Sequence, residues 1–353
     1  MWISFQQSDL SQYATMFFMA KKVLVTGAGG YIGSINSYKL LEEGYDLVAL
    51  DNFSTGFEEP LELLQNKYGL DRLKIYKLNL ADNLMAIFRE NSIDAVLHFA
   101  GALSVNESME NPIKYFSNNV AGTINLLQTM LQANVTNLVF SSTCATFGET
   151  EVEEINESHI QNPANPYGES KMIIEQMIRW LGKQSNLHYV VLRYFNVCGA
   201  TDDGLIGDAK KPSVHLMQNA VKGALGLEEF ALTYSPVATP DGSPIRDYVN
   251  VVDLADAHIR ALEYLFNGGA SQMINIGTGS GNSVLEVVRK VEEITGHKFA
   301  LKKGEPRQGE YAKAIASIKK AQQVLGWSPT RSIEDSVRSL VKWYKARPQG
   351  WER

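Results

Sequence analysis

Only two of the 353 residues are cysteine, Cys144 and Cys198. That excludes a disulfide framework, and no Cys/His spacing has the form of a zinc site, so no metal is expected. The scarcity of thiols reads as a cytoplasmic chain. Basic charge is also in deficit: 33 Lys and Arg against 39 Asp and Glu leave a net charge of −6. With no basic excess to neutralise phosphates, neither nucleic acid nor a membrane surface is an expected partner. No apolar run is long enough to span a bilayer. Repeats and low-complexity tracts are missing too. Residues 1–20 hold aromatics and Met but no basic leader ahead of an apolar run, which a secretory signal needs. They read as a flexible N-terminal extension, or a misassigned start, with no part in any chemistry.

What is present is an ordinary globular composition, 44% apolar and 20% charged, in a chain long enough for one large domain plus a cap. Short β-branched runs alternate with helix-length amphipathic stretches. Val23–Thr26, Leu47–Asp51, Leu73–Leu78, Ala95–Ala100, Leu138–Ser142 and Val190–Phe195 read as buried strands. Tyr31–Glu43, Val120–Ala133 and Tyr167–Leu181 read as helices. The alternation predicts an α/β fold, a Rossmann-like doubly wound parallel sheet with helices on both faces. Ligands of such sheets bind at the carboxyl ends of the strands. After about residue 197 the pattern changes to a Gly-, Asp- and Lys-rich loop and mixed short elements, which predicts a smaller mixed α/β C-terminal cap. One return to the sheet is expected around residues 246–276.

Gly27, Gly30 and Gly33 stand between a predicted strand and helix, in Thr26-Gly-Ala-Gly-Gly-Tyr-Ile-Gly33. Glycines let the backbone turn tightly and approach a pyrophosphate, while the helix N-terminus offers free N–H groups and a favourable dipole. Asp51 ends the next strand roughly twenty residues on, where an acid accepts from a ribose 2′-hydroxyl and repels a 2′-phosphate. The cofactor is therefore read as NAD rather than NADP. Packing alone also favours glycine turns, but the strand, the turn, the helix and the acid together point to a dinucleotide. Residues 21–197, with the return, are the expected NAD-binding domain; 198–245 and 277–353 form the cap.

Asn165-Pro-Tyr167-Gly-Glu-Ser-Lys171 holds a Tyr-x-x-x-Lys, whose two side chains share a helix face. A free phenol ionises near pH 10. A neighbouring ammonium and a cationic nicotinamide favour phenolate, which makes Tyr167 a base for a sugar hydroxyl and Lys171 its charge partner. About 25 residues upstream a strand ends in Ser141, Ser142 and Thr143, a spacing that a strand–loop–helix unit allows. Thr143 can bond both the phenol and the sugar hydroxyl; the bland alternative is that all three hydroxyls only cap the strand.

Together these motifs resemble the UDP-galactose (UDP-glucose) 4-epimerase family of the extended short-chain dehydrogenase/reductases. The resemblance runs from about Lys22 to the C-terminus, through Leu50-Asp-Asn52, His98-Phe-Ala-Gly101, Asn118-Asn-Val-Ala-Gly-Thr123, Phe140-Ser-Ser-Thr143, Pro166-Tyr-Gly-Glu-Ser-Lys171, Arg193-Tyr-Phe-Asn196, Arg246-Asp-Tyr248 and Gly281-Asn-Ser283. It implies an NAD-dependent isomerase acting on a UDP-sugar, in which Tyr167 takes the 4-hydroxyl proton as hydride moves to the nicotinamide. The 4-keto sugar then turns and receives hydride on its other face. By the same resemblance Tyr31, Ile32, Asn52, Leu80, Phe99, Ala100, Gly101, Asn118 and Phe195 contact NAD. Asn196, Leu216, Arg246, Arg307 and Glu310 contact the UDP-sugar. A homodimer formed through a helical face is implied as well.

Departures matter too. Asn79 replaces the family's usual aspartate beside the adenine amino group, which an amide oxygen can still accept from. Leu103 and Ile35 stand where Lys and His are found, and the stretch from Glu228 to Thr239 matches poorly. Ala314 falls where a bulky tyrosine limits the sugar's 2-substituent in some members, so an N-acetyl group is expected to fit. Thr143 is followed by Cys144 and Ala145, with no acid to drive elimination. That favours epimerisation over dehydration or decarboxylation on the same scaffold, and leaves UDP-pentoses and UDP-uronates open as substrates. An NAD-sensing protein without catalysis predicts a broken Thr/Tyr/Lys set, which is not what stands here. His98, both cysteines, Trp327 and Trp343 read as structural.

Overall fold

The computed structural model describes residues 20–150, 152–211, 213–232, 236–300 and 312–351. Residues 1–19, Arg307 and Glu310 lie outside these. Six strands follow in the predicted places: β1 (Lys22–Thr26), β2 (Asp46–Asp51), β3 (Leu73–Lys77), β4 (Ala95–His98), β5 (Asn137–Thr143) and β6 (His188–Tyr194). Then come β7 (Asn196–Cys198), β8 (Ile245–Arg246), β9 (Tyr248–Asn250), β10 (Gln272–Ile276), β11 (Asn282–Ser283) and β12 (Lys313–Ala314). One seven-stranded sheet runs in the order β3-β2-β1-β4-β5-β6-β10, and every pairing in it is parallel. The order reverses between β1 and β4, which places the ligand crevice at their carboxyl ends.

Side-chain alternation along each strand separates two cores. Val23, Val25, Leu47, Ala49, Ala95 and Leu97 face one layer, with Ile35 and Leu41 of helix Tyr31–Glu42 and Leu254 and Leu262 of helix Val251–Phe266. Leu24, Val48, Leu50, Val96, Leu138 and Phe140 face the other, with Leu126 and Met130 of helix Gly122–Gln132 and Ile174 and Ile178 of helix Pro166–Gln184. Burial on both faces explains why these strands read as unbroken apolar runs. Each fully buried aliphatic side chain contributes roughly 1.5–3 kcal/mol.

Several boundaries differ from the sequence reading. β4 stops at His98, because Phe99–Gly101 leaves the sheet as a loop. The helix expected from Val120 instead begins as a π-helical segment, Phe116–Ala121, and becomes α-helical at Gly122. The return to the main sheet consists of helix Val251–Phe266 and β10 alone. Arg246 belongs to a separate three-stranded sheet, where β8 lies between β11 and β12, while β7 pairs with β9. Helices Leu216–Ala224, Val284–Thr295 and Ile333–Ala346 pack around Trp343, which is fully buried. Trp327 is buried as well and donates its indole N–H to the Asp253 carbonyl at 3.0 Å.

Candidate active site

The glycine turn sits at the end of β1. Gly27 adopts φ +69°, which only glycine takes without strain, and a Cβ there would lie 2.6 Å from the Ala100 nitrogen. A Cβ on Gly33 would lie 2.1 Å from the Gly27 carbonyl oxygen. Packing therefore accounts for both of these glycines. Gly30 is less crowded: an added Cβ would lie 3.2 Å from the Gly27 carbonyl oxygen, a tight contact but not a clash. Gly30 caps helix Tyr31–Glu42 without a side chain, and the first turn holds no acid. The N-terminus thus offers its N–H groups and dipole with no acid in its own first turn, the arrangement that a pyrophosphate fits.

Asp51 ends β2 and is buried. Its Oδ2 accepts the Gly29 N–H at 2.9 Å and its Oδ1 the Phe53 N–H at 2.7 Å. Burial raises its pKa, against backbone hydrogen bonds and the Lys210 charge, which lower it. The carboxylate therefore pins the glycine turn to the chain after β2. Asn52 Oδ1 accepts the Ser54 N–H, and Asn79 Oδ1 accepts the Ala81 N–H, both at 2.9 Å. Leu80 is buried and packs within the second core. Tyr31 donates its hydroxyl to the Gly199 carbonyl at 2.5 Å, tying the helix to the chain after β7. Ile32 is half-buried against the first core.

The loop after β4 crosses the same edge. Phe99 donates its N–H to the Thr26 carbonyl at 3.0 Å, and its ring lies 4.8 Å from that of His258. Ala100 is half-buried, and Asn118 donates to Asn119 Oδ1 at 3.2 Å. Asn119, which the sequence reading passed over, holds the loop. Its Oδ1 accepts the Ala102 N–H at 2.7 Å, and its Nδ2 donates to the Ala102 carbonyl and to Ser170 Oγ. An added Cβ on Gly101 would lie 3.1 Å from that Oδ1 and 3.7 Å from Lys171 Nζ.

Thr143, Tyr167 and Lys171 meet where β5 ends. Asn165 accepts the Gly168 N–H at 2.9 Å, and Pro166 occupies the first turn of helix Pro166–Gln184. That cap and proline fix the helix start, so Tyr167 stands in the first turn and Lys171 one turn further. Burial pushes the Tyr167 phenol up to about 12, its hydrogen bond with Thr143 pulls it down, and the Cys144 thiol pushes it up. Its ring lies edge-on to Tyr115, centroids 6.4 Å apart. Burial pulls the Lys171 ammonium down to about 8, opposed by the Glu175 carboxylate. Lys171 Nζ donates to the Ser141 carbonyl at 2.9 Å and lies 4.8 Å from the Phe140 ring centroid. The hydroxyls before Thr143 are tied sideways: Ser141 to the Tyr194 hydroxyl, and Ser142 to Glu175 at 2.5 Å.

His98 is structural, bonded at 2.7 Å to Thr26 Oγ1 and at 2.8 Å to Thr123 Oγ1, with burial lowering its pKa to about 3. Cys144 and Cys198 are free thiols, each pushed up to about 12 by burial. No cluster of three or more His, Cys, Asp or Glu side chains fit to hold a metal ion occurs among the described residues.

The wall opposite the glycine turn comes from later in the chain. Phe195 is buried with Phe147, Ile155, Ala314 and Ala316, and Asn196 is exposed on β7. Arg246 on β8 pairs in register with Ala314 of β12, and Leu216 opens helix Leu216–Ala224. Asp247, also unforeseen, joins these segments. Its carboxylate accepts the Thr278 N–H and hydroxyl at 2.7 Å, the Gly279 N–H at 3.1 Å and the Ala316 N–H at 3.2 Å. Its own backbone N–H donates to the Ala314 carbonyl, and its carbonyl accepts from Asn196.

A parallel sheet with a glycine turn at its reversal, and a Thr/Tyr/Lys set beside it, define a dinucleotide-dependent short-chain enzyme. Residues 23–277 match the model of the NAD dependent epimerase/dehydratase family. The chain is 40% identical over 335 residues to UDP-glucose 4-epimerase of Lactobacillus helveticus, covering 94% of this chain and 99% of that one. It is 42% identical over 333 residues to the enzyme of the same name from Halalkalibacterium halodurans, covering 93% and 97%. The solved UDP-glucose 4-epimerase of Bifidobacterium longum, in complex with NAD+ and UDP, superposes with a TM-score of 0.88 at 35% identity, covering 94% of this chain and all of that one. The chain belongs to the NAD dependent epimerase/dehydratase family and, within it, to the UDP-glucose 4-epimerases.

Proposed function

We propose that the protein is an NAD-dependent UDP-hexose 4-epimerase, interconverting UDP-galactose and UDP-glucose through a transient 4-keto sugar. The observation that carries the reading is the meeting of Tyr167, Thr143 and the buried Lys171 ammonium at one edge of the sheet, beside the loop that backs the glycine turn. Gly27, Gly30 and Gly33 with the helix N-terminus suit the pyrophosphate, and Asp51 suits a ribose hydroxyl. Asn52, Asn79, Leu80, Phe99–Gly101, Asn118 and Phe195 are assigned to the rest of the dinucleotide. NAD, when bound, supplies the hydride acceptor and donor. The Tyr167 phenolate removes the proton from the sugar 4-hydroxyl, with Thr143 bonding the same hydroxyl, and later returns it. Lys171 holds the phenolate charge by its field, since its hydrogen bond goes to Ser141. Asn196, Leu216 and Arg246, with Arg307 and Glu310, are assigned to the UDP-sugar. A guanidinium suits diphosphate oxygens, which must stay held while the hexose turns.

On this reading residues 21–197 with the return through helix Val251–Phe266 and β10 form the cofactor domain, and 198–250 with 277–353 the cap. The enzyme works as a homodimer in the cytoplasm. Exposed Met109, Ile113, Ile124 and Trp180 support a buried face, and two free thiols suit a reducing compartment. Sedimentation at micromolar concentration tests the dimer, and a monomer rejects it. The small Ala314 side chain supports acceptance of UDP-N-acetylhexosamines. Equal refusal of the acetylated sugar by the parent and by Ala314→Tyr would remove that extension. For the main reaction, an NMR time course with UDP-galactose and trace NAD+ is expected to reach a fixed ratio with UDP-glucose. An unchanged spectrum with UDP still bound would move the assignment to another UDP-sugar.

A further inference from the structure

Glu175 lies one turn beyond Lys171 and is 1% exposed; its partner Arg193, on β6, is 3% exposed. Its Oε1 accepts the Ser142 hydroxyl at 2.5 Å and Arg193 Nε at 3.0 Å, and its Oε2 accepts Arg193 Nη2 at 2.6 Å and Gln161 Nε2 at 2.8 Å. The guanidinium lies 5.1 Å from the Phe147 ring centroid. Each segment meeting on this carboxylate leads into the site. Ser142 precedes Thr143 on β5, Tyr167 and Lys171 share the helix of Glu175, and Arg193 precedes Tyr194, Phe195 and Asn196. A buried ion pair is weak evidence for stability, because desolvating two charges offsets much of their attraction. Here, however, three segments of the candidate site converge on one carboxylate.

We propose that Glu175 is a positioning residue for the epimerisation: its carboxylate sets Thr143, Tyr167 and Lys171 relative to one another. The proposal rests on Tyr167 as the base. The other titratable groups around Lys171 are Tyr167, His98 and, through Ser141, Tyr194; Cys144 stands beside Tyr167. In the protein without its cofactor, burial holds all four neutral at pH 7. Glu175 supplies the negative charge that opposes the loss of the Lys171 proton. Around Glu175 itself stand Arg193, Lys171 and the buried Tyr189 side chain. Without this carboxylate Lys171 loses its proton at lower pH, and the phenolate loses its counter-charge there.

The test uses NAD-loaded Glu175→Gln and the double variant Glu175→Gln/Arg193→Met, which also removes the buried guanidinium that the single variant leaves without its carboxylate. Both keep side chains of similar length. In each, the alkaline limb of kcat against pH is expected to move down by about one unit, which is about a ten-fold loss on that limb. KM for UDP-galactose should stay put. Thermal unfolding should drop in the single variant and recover in the double one. A limb at the parent position in either variant overturns the proposal, as does recovery of kcat together with stability in the double variant. Tyr167→Phe, run alongside, tests the base separately: full turnover there would reject the assignment of the base, whatever the Glu175 variants do.

Discussion

Replacing Tyr167 by phenylalanine removes one oxygen and leaves the ring against Tyr115. Burial pushes the phenol up to about 12 in the protein without its cofactor. At pH 7 only about one phenol in 10⁵ would then be ionised. Each unit that Lys171 and a bound cationic nicotinamide take off multiplies the phenolate population ten-fold, so the cofactor-loaded enzyme should gain activity with pH until the phenol has titrated. A general base contributes about 10²- to 10⁴-fold, and kcat of Tyr167→Phe should fall by that much with its acid limb gone. The lost hydrogen bond to Thr143 costs about 1 kcal/mol of stability, so thermal unfolding and NAD retention should barely move. The assay is the NMR conversion of UDP-galactose by NAD-loaded protein at several pH values. A loss under ten-fold, or an unchanged acid limb, would refute Tyr167 as the base.

Asp51→Asn can accept only one of the two N–H groups that the carboxylate now takes from Gly29 and Phe53. A charged hydrogen bond is worth about 1.5–3 kcal/mol, so NAD should bind about ten- to hundred-fold more weakly by calorimetry, with less preference over NADP. Gly33→Ala and Gly30→Ala should separate folding from binding. The former drives Cβ to 2.1 Å from a backbone oxygen and should cost about 1–3 kcal/mol in denaturant titration, whereas the latter meets its nearest neighbour at 3.2 Å and should chiefly weaken NAD. His98 stays neutral in the fold because burial lowers its pKa to about 3. The unfolded chain takes up that proton near pH 6.5, so stability should fall as pH drops from 6.5 towards 3. His98→Asn should flatten that slope in urea titrations, although His258, lowered to about 4, keeps part of it.

The main sheet was readable because strands buried on both faces leave unbroken apolar runs such as Val23–Val25 and Leu138–Phe140. The glycine turn, Asp51 and the Tyr/Lys pair were readable because each needs partners only a few residues or one βα unit away. β8, β11 and β12 have two residues each, too short for any period to show. Asn119, Glu175, Arg193 and Asp247 escaped for another reason. Each is an ordinary polar residue in sequence, and its meaning comes from partners brought together by the fold, such as Ser170 for Asn119 or Thr278 and Ala316 for Asp247. Ser141 and Ser142 likewise read as strand caps until Tyr194 and Glu175 were placed beside them.

The Asp247 carboxylate has a consequence for how this scaffold can diversify. It knots the chain next to Arg246 to residues 278–279 and 316, which are distant in sequence. The stretch between those knots includes helix Val284–Thr295, which ends on the left-handed Gly296. Because residues 278–279 and 316 are held by the same carboxylate, a change of length between them should leave the chain beside Arg246 in register.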